Sequence, residues 1–159
     1  MRARQGRMST DAASQALKQV ESTLLIVGSQ GEGGAHFMVA NWATQASFEP
    51  WRYVLAMKKT SRTIRNVREK KAFTVNLLDD AHKDVVKRVL KGAADGKGDE
   101  SPVDAPRLPD AYAGFDCEVV DVLDTGGDHA LVVADVKDGW KRGDGPPVRV
   151  DEMKLSYAG

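Results

Sequence analysis

Two runs of strand-forming residues joined by a short glycine turn constrain the fold of this chain more than any other feature. Residues 113–123 alternate between apolar and polar side chains, and residues 129–136 form a second, largely apolar run. The turn between them contains Gly126, Gly127 and Asp128, residue types that reverse a chain tightly. We therefore predict an antiparallel hairpin here, which favours a mainly β fold.

Weaker patterns extend this prediction along the chain. Apolar runs predict further strands at residues 23–29, 36–39, 53–57 and 73–78. Apolar residues at helical spacing predict short helices at residues 11–22, 61–70 and 82–91. Residues 92–107 are rich in Gly, Asp and Pro and predict a long loop. Six or so strands with short helices between them favour a closed or split β-barrel with helical lids.

The bulk properties favour one soluble domain at residues 11–159. The 159 residues include 42% hydrophobic residues, enough for a single core. Residues 1–10 contain three arginines with no apolar run after them, so we expect a disordered leader and no secretory signal. No stretch approaches the roughly 18 apolar residues that span a bilayer, so we expect no membrane partner. The single cysteine, Cys117, is typical of a reducing, cytoplasmic setting and is interpreted as a buried strand residue.

Charge is unevenly distributed although the formal net charge is zero. Residues 57–91 contain eleven Lys and Arg against four Asp and Glu, whereas residues 92–138 contain three against twelve. This asymmetry indicates an anion-binding half, or two subunit faces that attract each other. Solvated charged faces of helices are the alternative.

A polar segment follows the predicted strand at residues 36–39. Its side chains Asn41, Thr44, Gln45 and Ser47 can donate and accept hydrogen bonds without adding bulk. Such groups suit the carbonyl and imide edges of a bound planar ring. The alternative is the solvent-facing side of an antiparallel strand, where polar residues are ordinary.

The start of the predicted helix at residues 61–70 is a candidate anion-binding site. Free amides and the positive end of the dipole lie at a helix start, where Ser61 and Thr63 can donate to phosphate. Lys58, Lys59 and Arg62 add positive charge. A simple capped helix with solvated basic side chains is the alternative.

His129 is the strongest candidate for a catalytic side chain. It directly follows the Gly-Gly-Asp turn, so we expect it at a rim, where a histidine can contact a ligand or transfer a proton. A solvated turn residue is the alternative. The three histidines show no metal-ligand spacing, and neither a P-loop nor a G-x-G-x-x-G pattern is present, so we predict no metal site and no Rossmann site.

Five segments in order resemble the flavin reductase-like family, whose members bind FMN or FAD in a split β-barrel. Residues 38–50 are similar to the family's flavin-binding strand, and residues 59–63 look like its phosphate segment. Residues 73–78 and 115–119 resemble two later strands, and residues 127–129 resemble its Gly-Asp-His turn. The resemblance covers about residues 17–159.

The resemblance implies a set of site residues. Flavin contacts are expected from Met38, Val39, Ala40, Asn41, Trp42, Thr44, Gln45, Ser47, Ala56, Met57, Lys58, Lys59, Thr60, Ser61, Arg62 and Thr63. Asn76 is expected as a further neighbour of the cofactor, and His129 is expected to face the hydride donor.

The resemblance also implies a function. We predict an FMN-binding oxidoreductase, with FAD as the alternative cofactor, that passes hydride from nicotinamide C4 of NAD(P)H to flavin N5. A homodimer with the flavin near the subunit boundary is expected. A separate monooxygenase is the expected recipient of reduced flavin, unless the flavin stays bound and reduces ferric iron or a quinone. An electron carrier or sensor is the alternative. A third hypothesis is a nucleic-acid-binding protein that uses the basic residues of segment 57–91. We nevertheless predict no nucleic-acid partner.

Overall fold

The computed structural model describes residues 11–20 and 23–155, which form three α-helices and seven strands. The residues of the expected leader, 1–10, lie outside the described part. The helices are α1 (Asp11–Val20), α2 (Arg62–Lys70) and α3 (Lys83–Leu90). The strands are β1 (Leu25–Gly31), β2 (Gly34–Ala40), β3 (Ala43–Phe48), β4 (Trp51–Lys58), β5 (Ala72–Leu77), β6 (Ala113–Asp124) and β7 (His129–Lys141).

All seven strands belong to one antiparallel sheet with the order β2-β1-β5-β6-β7-β4-β3. The predicted hairpin is confirmed, because β6 and β7 pair up to Asp124 opposite Ala130. The predicted glycine-turn hairpin of β1 and β2 is also confirmed, with Gly31 opposite Gly34. The polar segment forms β3, as its resemblance to the family's flavin-binding strand implies.

The sheet is strongly curved around one of its two apolar clusters. Leu25 and Val27 of β1 pack in the same cluster as Leu55 of β4, although β5, β6 and β7 lie between these two strands in the sheet order. A flat sheet could not bring second and sixth strands together, so the sheet must curl into a barrel-like shape. Ile64 and Val67 of α2 complete this cluster, while α3 packs on the second one.

Helix α2 confirms the predicted helix at residues 61–70. Ser61 is its N-cap, and the Ser61 hydroxyl oxygen accepts a hydrogen bond from the Ile64 amide at 3.2 Å. Arg68 and Lys70 lie in the last turn, where positive charge complements the helix dipole. The face of α2 toward the sheet is buried, so packing fixes where its first turn lies.

Two of the predicted helices differ in detail. The predicted helix at residues 82–91 begins instead with a 3-10 turn, Asp80–His82, before α3. The helix predicted at residues 11–22 is α1, but none of its residues is buried against the described chain. Leu17 and Val20 are 69% and 81% exposed. The amphipathic spacing therefore predicted the helix, but its apolar face does not pack against the described part of the chain.

The opposed charges of the two sequence halves meet within the chain. Ion pairs join the basic to the acidic half at Lys59–Asp124, Arg62–Asp95, Lys70–Asp104 and Arg88–Asp110. Charge asymmetry in the sequence therefore gives no separate argument for two attracting subunit faces, because the fold itself brings these charges together.

Cys117 is fully buried in β6, where it faces Phe73 of β5 and Val136 of β7 across the sheet. Burial, with a smaller contribution from Asp116, raises the pKa of its thiol far above the ordinary range. The prediction of a buried strand cysteine is confirmed.

None of the helices in the described part of the chain has the length and apolar character needed to span a bilayer.

Candidate functional site

A cleft brings together residues that are far apart in the sequence. Its walls come from the end of β2, the link to β3, the end of β4 and the start of β7. The lining residues are Met38, Val39, Ala40, Asn41, Trp42, Ala56, Lys58 and His129. All eight were predicted as site residues, and the cleft joins the polar segment to the histidine turn.

The sheet register explains this convergence. Lys58, the last residue of β4, lies opposite His129, the first residue of β7. The Ala56 amide donates to the Trp42 carbonyl at 2.9 Å, which fixes the β2–β3 link against β4. Because three chain segments are held by backbone hydrogen bonds, the cleft has a defined shape before any ligand arrives.

His129 is enclosed and not a solvated turn residue. Its side chain is only 12% exposed, and its Nδ1 lies 2.8 Å from Oδ1 of Asp128. Its ring lies 4.9 Å from that of Trp42 at an angle of 52°. The contact with His129 is the main reason that the pKa of Asp128 lies below its ordinary value. These contacts orient the imidazole within the cleft.

The start of α2 lies next to the cleft and offers hydrogen-bond donors. The Ser61 amide donates to the Lys58 carbonyl at 3.0 Å, so β4 turns directly from the cleft into the helix cap. Among the described residues, Thr63 Oγ1 is one of two buried side-chain polar atoms without a hydrogen-bond partner. An unsatisfied buried hydroxyl costs about 1–3 kcal/mol, so Thr63 lacks the partner that its burial calls for.

The three cations predicted beside this helix are not equivalent. Lys59 Nζ pairs with Asp124 Oδ1 at 2.5 Å, and Arg62 Nη1 pairs with Asp95 Oδ2 at 3.3 Å. Lys58 makes no ion pair with the carboxylates of the described chain, although its charge helps to lower the pKa of Asp128. Lys58 is therefore the cation most available to a ligand in the cleft.

Comparison with known proteins identifies the family. The family described as flavin reductase like domain matches residues 17–154, which is most of the chain. The chain belongs to the flavin reductase-like family. This result confirms the resemblance drawn from the sequence motifs, and it agrees with an oxidoreductase that uses a flavin.

Solved structures share the fold of this flavin reductase-like chain. The flavin reductase PheA2 is 21% identical with a TM-score of 0.78, covering 89% of this chain and 93% of that one. BorF, the flavin reductase component of a bacterial two-component tryptophan halogenase, is 16% identical with a TM-score of 0.77, covering 92% and 96%. The styrene monooxygenase flavin reductase SMOB of Pseudomonas putida S12 is 24% identical with a TM-score of 0.72, covering 86% and 90%. The predicted split β-barrel is confirmed.

Curated relatives are longer proteins. A Nostoc sp. protein with the provisional name diflavin flavoprotein A 6 is 32% identical over 128 residues, which are 76% of this chain and 22% of that protein. An uncharacterized protein of Aeropyrum pernix is 30% identical over 142 residues, which are 82% of this chain and 53% of that protein. The chain thus spans about a fifth to a half of the length of these relatives.

Three of the predicted contacts that lie outside the cleft belong to one strand of this flavin reductase-like chain. Thr44, Gln45 and Ser47 belong to β3, the strand at one edge of the sheet. Thr44 Oγ1 donates to the Gln45 carbonyl, and Gln45 Nε2 donates to the Ser47 carbonyl. They resemble the solvent-facing polar residues that were the alternative interpretation, and their role as flavin contacts stays a prediction.

Two of the predicted contacts, Met57 and Asn76, have side chains that are fully buried in the fold. The Met57 side chain is fully buried in the barrel cluster, so only its backbone can contact a ligand in the cleft. Asn76 is also fully buried: its amide donates to the Ile26 carbonyl and Thr74 Oγ1, and its oxygen accepts from the Leu108 amide. These hydrogen bonds stabilise the packing of β1, β5 and the loop before β6, and the role of Asn76 as a neighbour of the cofactor stays a prediction.

Two side chains of the site were missed in the sequence. Asp128 orients His129. Its position directly before the histidine in the Gly-Asp-His turn could have indicated this contact. Asp95 contacts Arg62 from the long loop, and no local pattern places these two residues together.

The described residues contain no cluster of three His, Cys, Asp or Glu side chains that could hold a metal ion.

Proposed function

We propose that this protein is an FMN-binding flavin reductase that takes hydride from NADH or NADPH. One observation carries the proposal: β4 runs from the cleft directly into the start of α2, where Thr63 has a buried hydroxyl without a partner. A ligand with a planar ring and an anionic tail would fill both places, and FMN has this form. Membership in the flavin reductase-like family supports the choice.

Each part of the site has a proposed task. The backbone and small side chains of residues 38–42 and Ala56 would line the flavin ring, because they add little bulk to the cleft. The first-turn amides of α2, with the hydroxyls of Ser61 and Thr63, would bind the phosphate. Lys58 would supply the nearest available positive charge. Thr60 and Lys59 lie in the turn between these two parts.

His129 would act on the nicotinamide side of the cleft. The bound flavin supplies the ring that accepts the hydride. Asp128 holds the His129 imidazole, and Trp42 covers one side of it, so the ring has little freedom to turn. An oriented imidazole at this place would steer the nicotinamide or relay a proton, and no covalent nucleophile is needed.

The assembly is part of the proposal. A homodimer would cover the edge strand β3 and the aromatic side chains Phe48 and Trp51, which are 73% and 62% exposed. Reduced flavin would pass to a separate monooxygenase or stay bound and reduce another acceptor. BorF is the flavin reductase component of a tryptophan halogenase and SMOB is the flavin reductase of a styrene monooxygenase, which supports transfer to a separate enzyme. A cytoplasmic location stays a prediction.

The visible absorption spectrum of the purified protein tests the proposal. The protein is mixed with FMN without oxygen, separated from free flavin, and then treated with NADH, NADPH or dithionite. Loss of the yellow absorbance with one of the nicotinamides is the expected result. Bleaching by dithionite alone would indicate an electron carrier or sensor. No retained flavin and no quenching of FMN fluorescence on titration would refute flavin binding.

A further inference from the structure

Asp95 reaches from the long loop after α3 to the start of α2. Its carboxylate accepts a hydrogen bond from the Phe37 amide at 3.1 Å and lies 3.0 Å from His36 Nδ1. The same carboxylate accepts from Arg62 Nη1 at 3.3 Å. Asp95 therefore ties three elements together: the loop, strand β2 and the first residue of α2.

The Arg62 guanidinium is held where a ligand can still reach it. Its side chain is 41% exposed, whereas that of Asp95 is 26% exposed. At Gly33, in the turn between β1 and β2, a Cβ atom would lie only 2.9 Å from Arg62 Nη2. Glycine at this position thus makes room for the guanidinium, which lies between the hairpin turn and the loop.

A phosphate bound at the start of α2 would be a second anionic partner for this arginine. A guanidinium binds phosphate best with two parallel hydrogen bonds, and these need a free edge of the fork. Asp95 already uses Nη1, and its negative charge also repels a phosphate that approaches the same group. We propose that Asp95 competes with the flavin phosphate for Arg62 and thereby weakens FMN binding.

Competition from Asp95 would shorten the time that FMN stays bound to the protein. A weaker phosphate contact raises the dissociation rate of FMN and leaves riboflavin unaffected, because riboflavin has no phosphate. Asp95 thus favours a flavin that is exchanged between turnovers over one that is held permanently. This inference rests on the proposed phosphate site at α2, and it assigns Asp95 a role in setting the affinity for phosphate-bearing flavins.

The test is a double-mutant cycle of Asp95→Asn and Arg62→Gln. Asparagine keeps an oxygen that can accept from the Phe37 amide but removes the charge, so the loop contact survives. Dissociation constants for FMN and riboflavin are measured by fluorescence quenching. We expect Asp95→Asn to tighten FMN by about 3- to 10-fold, while riboflavin changes less than about 2-fold. In the Arg62→Gln background the effect of Asp95→Asn on FMN should fall below about 2-fold, the part that direct charge repulsion leaves.

Asp104→Asn is the matched control. Asp104 lies in the same loop but pairs with Lys70 in the last turn of α2, with 3.8 Å between the charged atoms. Asp104→Asn removes the same charge from the loop as Asp95→Asn, but it does not change the contacts at the start of α2. FMN affinity should therefore stay at the wild-type value. Equal tightening in Asp104→Asn would assign the effect to general electrostatics and overturn the proposal.

Other outcomes separate this inference from the proposed function. If FMN and riboflavin bind but Asp95→Asn leaves FMN binding unchanged or weaker, Asp95 is only a structural tether and this inference is wrong. If neither flavin binds to the wild type, the proposed function itself fails. If Asp95→Asn lowers the melting temperature, Asp95→Ser, which keeps a smaller acceptor, must give the same tightening of FMN for the inference to stand.

Discussion

The imidazole of His129 lies against the indole of Trp42, with 4.9 Å between the ring centres. This contact joins the start of β7 to the link between β2 and β3, two regions that the sheet order places on different strands. Any planar ligand that enters the cleft meets both rings, because both line it. The pair therefore supports the site on geometry that is independent of the sequence motifs.

We expect His129→Ala to slow reduction of bound flavin by NAD(P)H by roughly 10- to 100-fold, an effect of about 1.4–2.7 kcal/mol on the barrier. The flavin spectrum and FMN affinity should stay nearly unchanged, and dithionite reduction should be unaffected. Stopped-flow absorbance at saturating flavin measures the rates. His82→Ala, which removes a histidine outside the cleft, is the control. Equal rates in wild type and His129→Ala would return His129 to a structural role.

Thr63→Val should change stability and ligand binding in opposite directions. It removes a buried hydroxyl without a partner and preserves the shape of the side chain, so the free energy of unfolding without ligand should rise by about 1 kcal/mol. FMN affinity should fall by about 5- to 10-fold if this hydroxyl donates to phosphate, and riboflavin affinity should not change. Urea unfolding and fluorescence titration measure the two effects.

Thr74→Val is the matched control for this variant. Thr74 is equally buried, but its hydroxyl donates to the Pro106 carbonyl and accepts from Asn76. The same substitution should therefore destabilise the protein by about 1–3 kcal/mol. A loss of stability in Thr63→Val similar to that in Thr74→Val would contradict the prediction.

Asn76→Ala should destabilise the fold by about 2–4 kcal/mol because the Ile26 carbonyl and the Leu108 amide lose their buried partner. FMN affinity of the folded fraction should stay within about 2-fold of the wild type. Urea unfolding with and without FMN separates the two quantities. A large loss of FMN affinity with little loss of stability would restore Asn76 to the cofactor site.

His82 should give a pH-dependent contribution to stability. The hydrogen bond with Asp79, at 2.6 Å, is the main reason that the pKa of His82 lies above its ordinary value of 6.5. The stabilisation is fully present below the pKa of the unfolded chain and is lost as pH rises through the higher pKa of the folded chain. Asp79→Asn should lower the pKa of His82 measured by NMR titration and reduce stability mainly at acidic pH. Identical titration of His82 in both proteins would contradict this.

The homodimer can be tested through the exposed aromatic pair. Phe48 and Trp51 face each other across the β3–β4 pairing, and both are largely exposed. Light scattering at micromolar concentration with FMN bound should give twice the mass of one chain, and Trp51→Lys should shift it toward one. A wild-type mass of one chain would rule out the proposed dimer.

Local patterns predicted the parts of this fold that depend on local chemistry. The β6–β7 hairpin follows from a glycine turn between alternating runs, and the cap of α2 follows from Ser61 before an apolar spacing. The cleft could be predicted only through the family resemblance, because its walls come from four separate segments.

Contacts between distant residues explain what the sequence did not predict. Asn76 has the composition of a binding residue, but its partners lie at residues 26 and 108, which only the folded sheet brings near. The same is true of Arg62, whose charge looked available until the loop placed Asp95 beside it. The identity of a polar residue indicates that it needs a partner, but the tertiary fold decides which one.

The buried position of Cys117 gives this chain a natural reporter of its own opening. A thiol reacts with a disulfide reagent only as an accessible thiolate, and Cys117 is both fully buried and raised in pKa. Labelling therefore requires the middle of the sheet to separate, since β5 and β7 flank this residue on both sides. Because the sequence contains no other cysteine, the labelling rate of the unmodified protein measures that opening, and its slowing by FMN measures how far a ligand in the cleft stabilises the barrel.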